Sequence, residues 1–179
     1  MKSGRFDERK VVVMGGSHGG YLTAHLSAKY PEMFCGAILR NPVIDLLSKK
    51  NMVMNYSFAY NLGMTVTSDI SDWTFGQLGI KIDQLKSRGI SEEEMKLFYD
   101  RSPSKYAKNV KCPTLLMLGS LDLRVPPSQG RYWAKLLKGN GVECKVLVFP
   151  DANHGLETGE SERFGLEAIL SFLKKIELI

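Results

Sequence analysis

The sequence predicts an α/β fold, a parallel sheet of about four strands with flanking helices and a helical insertion. Two observations lead there. Short apolar runs alternate with stretches of helical periodicity, as parallel strands require because each pair needs a crossover between them. The first of these runs, Val11-Val12-Val13-Met14, leads straight into Gly15-Gly16-Ser17-His18-Gly19, a tight strand-to-helix turn with a serine at its apex.

Residues 10–14 read as a strand buried on both faces. A helix is expected over 18–30, with Leu22, Leu26 and Tyr30 on one stripe, and Pro31 stops it. Further strands are expected at 35–39, 112–118 and 145–149. A helix at 128–138 turns Trp133, Leu136 and Leu137 inward, and Asn140-Gly141 returns the chain. The last helix, 163–176, carries Ala168, Ile169, Phe172, Leu173 and Ile176 at helical spacing.

Residues 43–110 break this alternation and read as a helical insertion over the active edge of the sheet. They contain Met52, Met54, Tyr56, Phe58, Tyr60, Met64, Trp73 and Phe75, a set more typical of ordinary core than of a ligand pocket. Ser91-Glu92-Glu93-Glu94 forms a capping box for a short helix with Met95 and Phe98, which ends at Ser102-Pro103.

The 179 residues, 44% of them apolar, suffice for one domain with a sizeable core. Net charge is +5, but apart from Lys49-Lys50 and Lys174-Lys175 the basic residues are scattered, so no nucleic-acid partner is expected. No apolar run approaches the ~20 residues of a membrane span, and no apolar leader follows Met1. Cys35, Cys112 and Cys144 are odd in number and lack CxxC spacing, which reads as reduced core thiols in a cytoplasmic protein. No cofactor and no metal is expected.

The turn at residues 15–19 has the form G-x-S-x-G, the nucleophile elbow of an α/β-hydrolase. A Cβ at Gly15 or Gly19 is expected to collide with the neighbouring helix and strand. A serine hydroxyl needs a base, and the base needs an orienting acid. In a parallel sheet such groups gather at the carboxyl ends of the strands. Ser17 follows the first strand, Asp122 the third and His154 the fourth, in the order Ser, Asp, His that this fold uses. His18 diverges from its neighbour Ser17, and its backbone N–H is the expected oxyanion donor. His25 reads as structural. Asp151 lies too close in sequence to His154 to reach its Nδ1 comfortably, and Asp45 and Asp100 do not follow the right strand. A dinucleotide fingerprint would use Gly15, Ser17 and Gly20 with Arg40 on an NADP phosphate. Ser17 is too bulky for its middle position, and Asp122 and His154 would be left unexplained.

Met14-Gly15-Gly16-Ser17-His18-Gly19-Gly20, Arg40-Asn41-Pro42-Val43-Ile44, Leu116-Met117-Leu118-Gly119 and Asp122-Leu123-Arg124-Val125-Pro126 together resemble the prolyl oligopeptidase family over almost the whole chain, least across 45–100. The resemblance is strongest to the branch that releases an N-acylated amino acid from the amino terminus of short peptides. It implies a cytosolic serine peptidase with an N-acylated peptide as substrate. It puts the nucleophile at Ser17, the acid at Asp122 and the base at His154, and it implies that Arg124 hydrogen-bonds a substrate carbonyl.

Members of that family carry a β-propeller and several strands ahead of the elbow, which here arrives at residue 17. The chain therefore reads as a partial catalytic domain (a fragment, a truncated gene product or a short isoform) with half its oxyanion hole missing and little turnover of its own. The first strand is expected to present an open apolar edge that invites self-association. The elbow also fits an esterase or lipase of the same fold, or a dead fragment that self-associates.

Overall fold

In a computed structural model of the chain, residues 7–47 and 91–179 are described. Four parallel strands form one sheet: β1 (Val12–Gly16), β2 (Gly36–Arg40), β3 (Thr114–Gly119) and β4 (Cys144–Phe149), in spatial order β1-β2-β3-β4. The register pairs Met14 with Ile38, Ile38 with Leu115 and Leu115 with Lys145. β1 runs two residues further than its apolar run suggests, because Gly15 and Gly16 pair with Leu39 and Arg40. It is not buried on both faces as expected. It lies at the sheet edge, and Met14 is 49% exposed.

Alternation along the strands divides the core. Leu39 and Leu116 point to one face, where α1 (His18–Lys29) and α3 (Ser128–Gly139) bring Ala24, Ala28, Trp133 and Leu137. Ile38, Leu115 and Met117 point to the other, against Ala168 and Phe172 of α4 (Gly159–Lys175). Right-handed crossovers advancing in one direction place their helices on one face, which is why α1 and α3 share a layer.

α1 does not bury the stripe expected of it. Leu22, Leu26 and Tyr30 are 47%, 38% and 53% exposed, while Gly20, Thr23, Ala24, Ser27 and Ala28 face inward. Small residues let the helix axis approach the sheet closely, and Leu22, Leu26 and Tyr30 are left outside, while Tyr21 is buried. His25 is buried, edge-on to Tyr21 at 4.5 Å.

α4 begins four residues earlier than expected. Thr158 Oγ1 accepts from Ser161 N (3.2 Å), and Ser161 Oγ accepts from Thr158 N (3.1 Å), a capping box closed by serine where glutamate is usual.

Chain contacts divide the molecule into two units. One comprises the residues up to Ile44 together with Tyr106–Ile179; the other is Asp45–Lys105. In the second unit, α2 (Glu92–Arg101) starts at the expected capping box: Ser91 Oγ accepts from Glu94 N, and Glu94 Oε2 accepts from Ser91 N. Phe98 is fully buried and Ser102 ends the helix. The methionines and aromatics of residues 52–75 lie outside the described residues.

All three cysteines are free thiols, and Cys112 and Cys144 are buried. Burial pushes both of these thiols up, from 9.0 to about 11. At pH 8 their thiolate fraction is then on the order of one in a thousand. Iodoacetamide is expected to leave Cys112 and Cys144 unmodified in the native chain and to alkylate them after denaturation, read by peptide mass spectrometry. The neutral thiols favour the fold fully below pH 9, and this contribution is lost as pH rises toward 11. Native alkylation at the rate of the denatured chain would contradict the assigned burial.

Candidate active site

Ser17 sits at the carboxyl end of β1, immediately before α1, with φ 55° and ψ −118°. That conformation is costly for a residue with a Cβ, on the order of 1–3 kcal/mol. The turn persists because its neighbours leave it no alternative. Ser17 N donates to Arg40 O (2.8 Å), and Ser17 O accepts from Tyr21 N in the first turn of α1. A Cβ on Gly15 would lie 2.2 Å from Gly19 O, as expected of the elbow. Gly19 itself departs from expectation: a Cβ there would meet no described atom within 4 Å. The crowded position is Gly20, whose Cβ would come 2.8 Å from Pro42 Cβ, because one further step around the helix turns this residue toward the chain leaving β2.

Asp122 and His154 are brought together. Asp122 follows β3, and its side chain is fully buried; His154 follows β4, with its side chain 18% exposed. Asp122 Oδ2 and His154 Nδ1 are 2.7 Å apart across 32 residues of sequence. The other oxygen, Oδ1, accepts from Arg124 N (2.8 Å) and Val125 N (2.9 Å). Those two amides fix the carboxylate plane, so Oδ2 must face the imidazole. No hydrogen bond links Ser17 Oγ to His154.

The histidine loop is held from below by two residues that the sequence did not mark as site residues. Asn41 is buried at φ 41°. Its Nδ2 donates to His154 O (2.8 Å) and Asn153 O (3.3 Å), while its Oδ1 accepts from Gly119 N (2.9 Å). Arg40 Nη2 donates to Gly155 O (2.8 Å). Arg40, weighed from sequence as a possible phosphate ligand, thus has a partner in the loop. The signals in sequence were the segment Arg40-Asn41-Pro42-Val43-Ile44 of the family resemblance and an asparagine directly after a strand, a residue type that tolerates positive φ.

The remaining candidates are placed as follows. His18 is the first residue of α1, its ring stacked on Tyr21 at 5.8 Å. Partial burial lowers its imidazole below the ordinary value. Its amide belongs to a helical first turn, where N–H groups point out of the helix end. Arg124 is exposed on the turn after Asp122. Asp151 is exposed beside the histidine loop. In the second unit, Asp45 accepts from Leu47 N, and Asp100 is paired with Lys96 and Lys105, which hold its carboxyl below the usual range. Among the described residues no group of three His, Cys, Asp or Glu is placed to hold a metal, and no helix is long and apolar enough to cross a membrane.

A parallel sheet with a strained serine after one strand, and a hydrogen-bonded Asp–His pair after two others, defines an α/β-hydrolase fold. The chain belongs to the prolyl oligopeptidase family, whose sequence profile matches residues 1–63 and 50–177. It is 39% identical over 159 residues to the acylamino-acid-releasing enzyme of Rattus norvegicus, a match covering 88% of this chain and 19% of that one. It is also 39% identical over 163 residues to acylamino-acid-releasing enzyme 1 of Oryza sativa subsp. japonica, covering 90% and 19%. The chain thus spans about a fifth of the length of these relatives. Among solved structures, a puromycin hydrolase superposes with TM-score 0.71 at 26% identity, covering 98% of this chain and 23% of that one. The acylaminoacyl peptidase of Pyrococcus horikoshii superposes with TM-score 0.66 at 24% identity, covering 96% and 24%.

Proposed function

We propose that this chain is part of a serine peptidase of the acylaminoacyl-peptidase type, which releases an N-acylated amino acid from the amino terminus of short peptides. The observation that carries the reading is the buried Asp122 carboxylate, locked by two amides and facing His154 Nδ1 at 2.7 Å. A carboxylate so placed holds the imidazole proton on Nδ1 and leaves Nε2 as the acceptor. Ser17 is the nucleophile. It attacks the carbonyl of the acyl-amino acid while His154 takes its proton. His154 then delivers that proton to the departing peptide amine. Water, deprotonated by the same imidazole, hydrolyses the acyl-enzyme. Such serine–histidine contacts commonly tighten only once substrate is bound, which accommodates the open link between Ser17 and His154.

The His18 N–H serves as one oxyanion donor, an interaction worth about 3–4 kcal/mol in comparable enzymes. Arg124 is free to reach a substrate carbonyl near the scissile bond. Residues 1–179 alone are expected to turn over slowly, since this chemistry draws on a second oxyanion donor and only His18 is assigned that role.

A fluorophosphonate probe tests the reading. The expected result is an adduct on Ser17, absent in Ser17→Ala, forming slowly on residues 1–179 and faster when the upstream segments of a relative are joined to them. Absence of a Ser17-dependent adduct in the extended chain would refute the assignment. Turnover of an acetyl-alanyl anilide separates the peptidase from an esterase, which would cleave only the corresponding ester.

A further inference from the structure

We infer that Arg40 and Asn41, at the end of β2, are positioning residues for the general base. The inference rests on the reading of His154 as that base. The residues carrying His154 form no regular structure, so their carbonyls have no ladder to join. Three consecutive carbonyls, of Asn153, His154 and Gly155, accept from these two side chains. The bond at His154 O is 2.8 Å, on the very residue whose imidazole must be placed.

Asn41 reaches this position only through its backbone. At φ 41° the chain leaves β2 with the side chain turned back under the loop, and Asn41 N is anchored to Met117 O (2.9 Å) on β3. The amide group is then used at both ends: Oδ1 is tied to β3 through Gly119 N, and Nδ2 to the loop after β4. One side chain therefore sets the height of the loop relative to the strand that delivers Asp122. Arg40 completes the arrangement from the same strand. Its carbonyl holds Ser17 N at the elbow, and its guanidinium holds Gly155 O. The elbow and the histidine loop are thus joined through a single residue.

The experiment uses residues 1–179 with Asn41→Ala, Asn41→Asp, Arg40→Ala and Arg40→Lys. Two readouts are taken: saturation kinetics of fluorophosphonate labelling, and the low-field proton resonance of His154 Nδ1–H. Near-UV circular dichroism reports folding. A misplacement of about 1 Å costs on the order of 100-fold in rate. Asn41→Ala is expected to lower the maximal labelling rate by about that factor with an unchanged half-saturating concentration, and to broaden or shift the low-field proton. Asn41→Asp is expected to do the same, since its carboxylate would face two carbonyls. Arg40→Ala slows labelling less, and Arg40→Lys restores it by keeping one donor for Gly155 O.

A folded Asn41→Ala chain with the parent's labelling rate and low-field proton would overturn the inference. If Asn41→Ala fails to fold, the arginine pair decides: equal labelling by Arg40→Ala and the parent is then the overturning result. If the parent itself gives no Ser17 adduct, labelling is compared in the extended chain, where absence of an adduct sinks the reading of Ser17 as nucleophile, while the response of the low-field proton still decides whether Asn41 positions His154.

Discussion

Asp122→Asn is expected to slow covalent labelling of Ser17 by about 10⁴-fold while leaving the fold intact, the size of effect seen when the equivalent change is made in an unrelated serine protease. The argument is one of proton direction. Arg124 N and Val125 N both donate to Oδ1, so the asparagine must keep its carbonyl oxygen there. Its NH₂ group then occupies the place of Oδ2, 2.7 Å from His154 Nδ1. Two donors cannot face each other, so Nδ1 gives up its proton, and the proton moves to Nε2. The imidazole nitrogen that should accept from Ser17 is then already protonated. Volume and hydrogen-bond count are nearly conserved, so the thermal midpoint should stay close to the parent's. Time courses of probe labelling on both proteins provide the check. Labelling within tenfold of the parent would mean that Asp122 does not orient the base.

The parts of the site that sequence made legible are those whose evidence is local. The elbow is contained in five consecutive residues, and Asp122 and His154 each follow an apolar strand, so strand order alone placed them at one end of the sheet. The four strands and the helix at Ser128–Gly139 were visible for the same reason. Where several segments must meet, the reading failed. Asn41 contacts residues 78, 112 and 113 positions away, and no periodicity encodes such a convergence. The α1 stripe failed differently. Leu22, Leu26 and Tyr30 satisfy the helical period, yet hydropathy ranks side chains by size and polarity, whereas close approach to a sheet selects small ones. Gly19 and Gly20 were confused because the motif records that glycine is needed near the elbow, and only coordinates show which Cα faces Pro42.

Gly119→Ala is expected to damage the site through a single added methyl group. Gly119 ends β3, with its N–H on Asn41 Oδ1. A Cβ there would fall 2.3 Å from Asn153 O and 2.6 Å from Ala152 O, where ordinary contact begins near 3.4 Å. The obstructing atoms are backbone, so no flexible side-chain end can swing aside. Relief requires the loop to retreat by about 1 Å (3.4 − 2.3 = 1.1), and that loop carries His154. Such a shift is comparable to the slack in a 2.7 Å hydrogen bond to Asp122, and it also stretches the bonds from Asn41. Overpacking of this kind costs about 1–3 kcal/mol, and misplacement of the base about 100-fold in labelling rate. Gly139→Ala provides the opposite sign within the same chain. It lies in the last turn of α3, a Cβ there meets no described atom within 4 Å, and relief of backbone entropy should stabilise the fold by about 0.5–1 kcal/mol. Thermal denaturation of the two variants should therefore move in opposite directions, with labelling lost only in Gly119→Ala. Unchanged labelling in Gly119→Ala would show that the loop holding His154 is not seated against the end of β3.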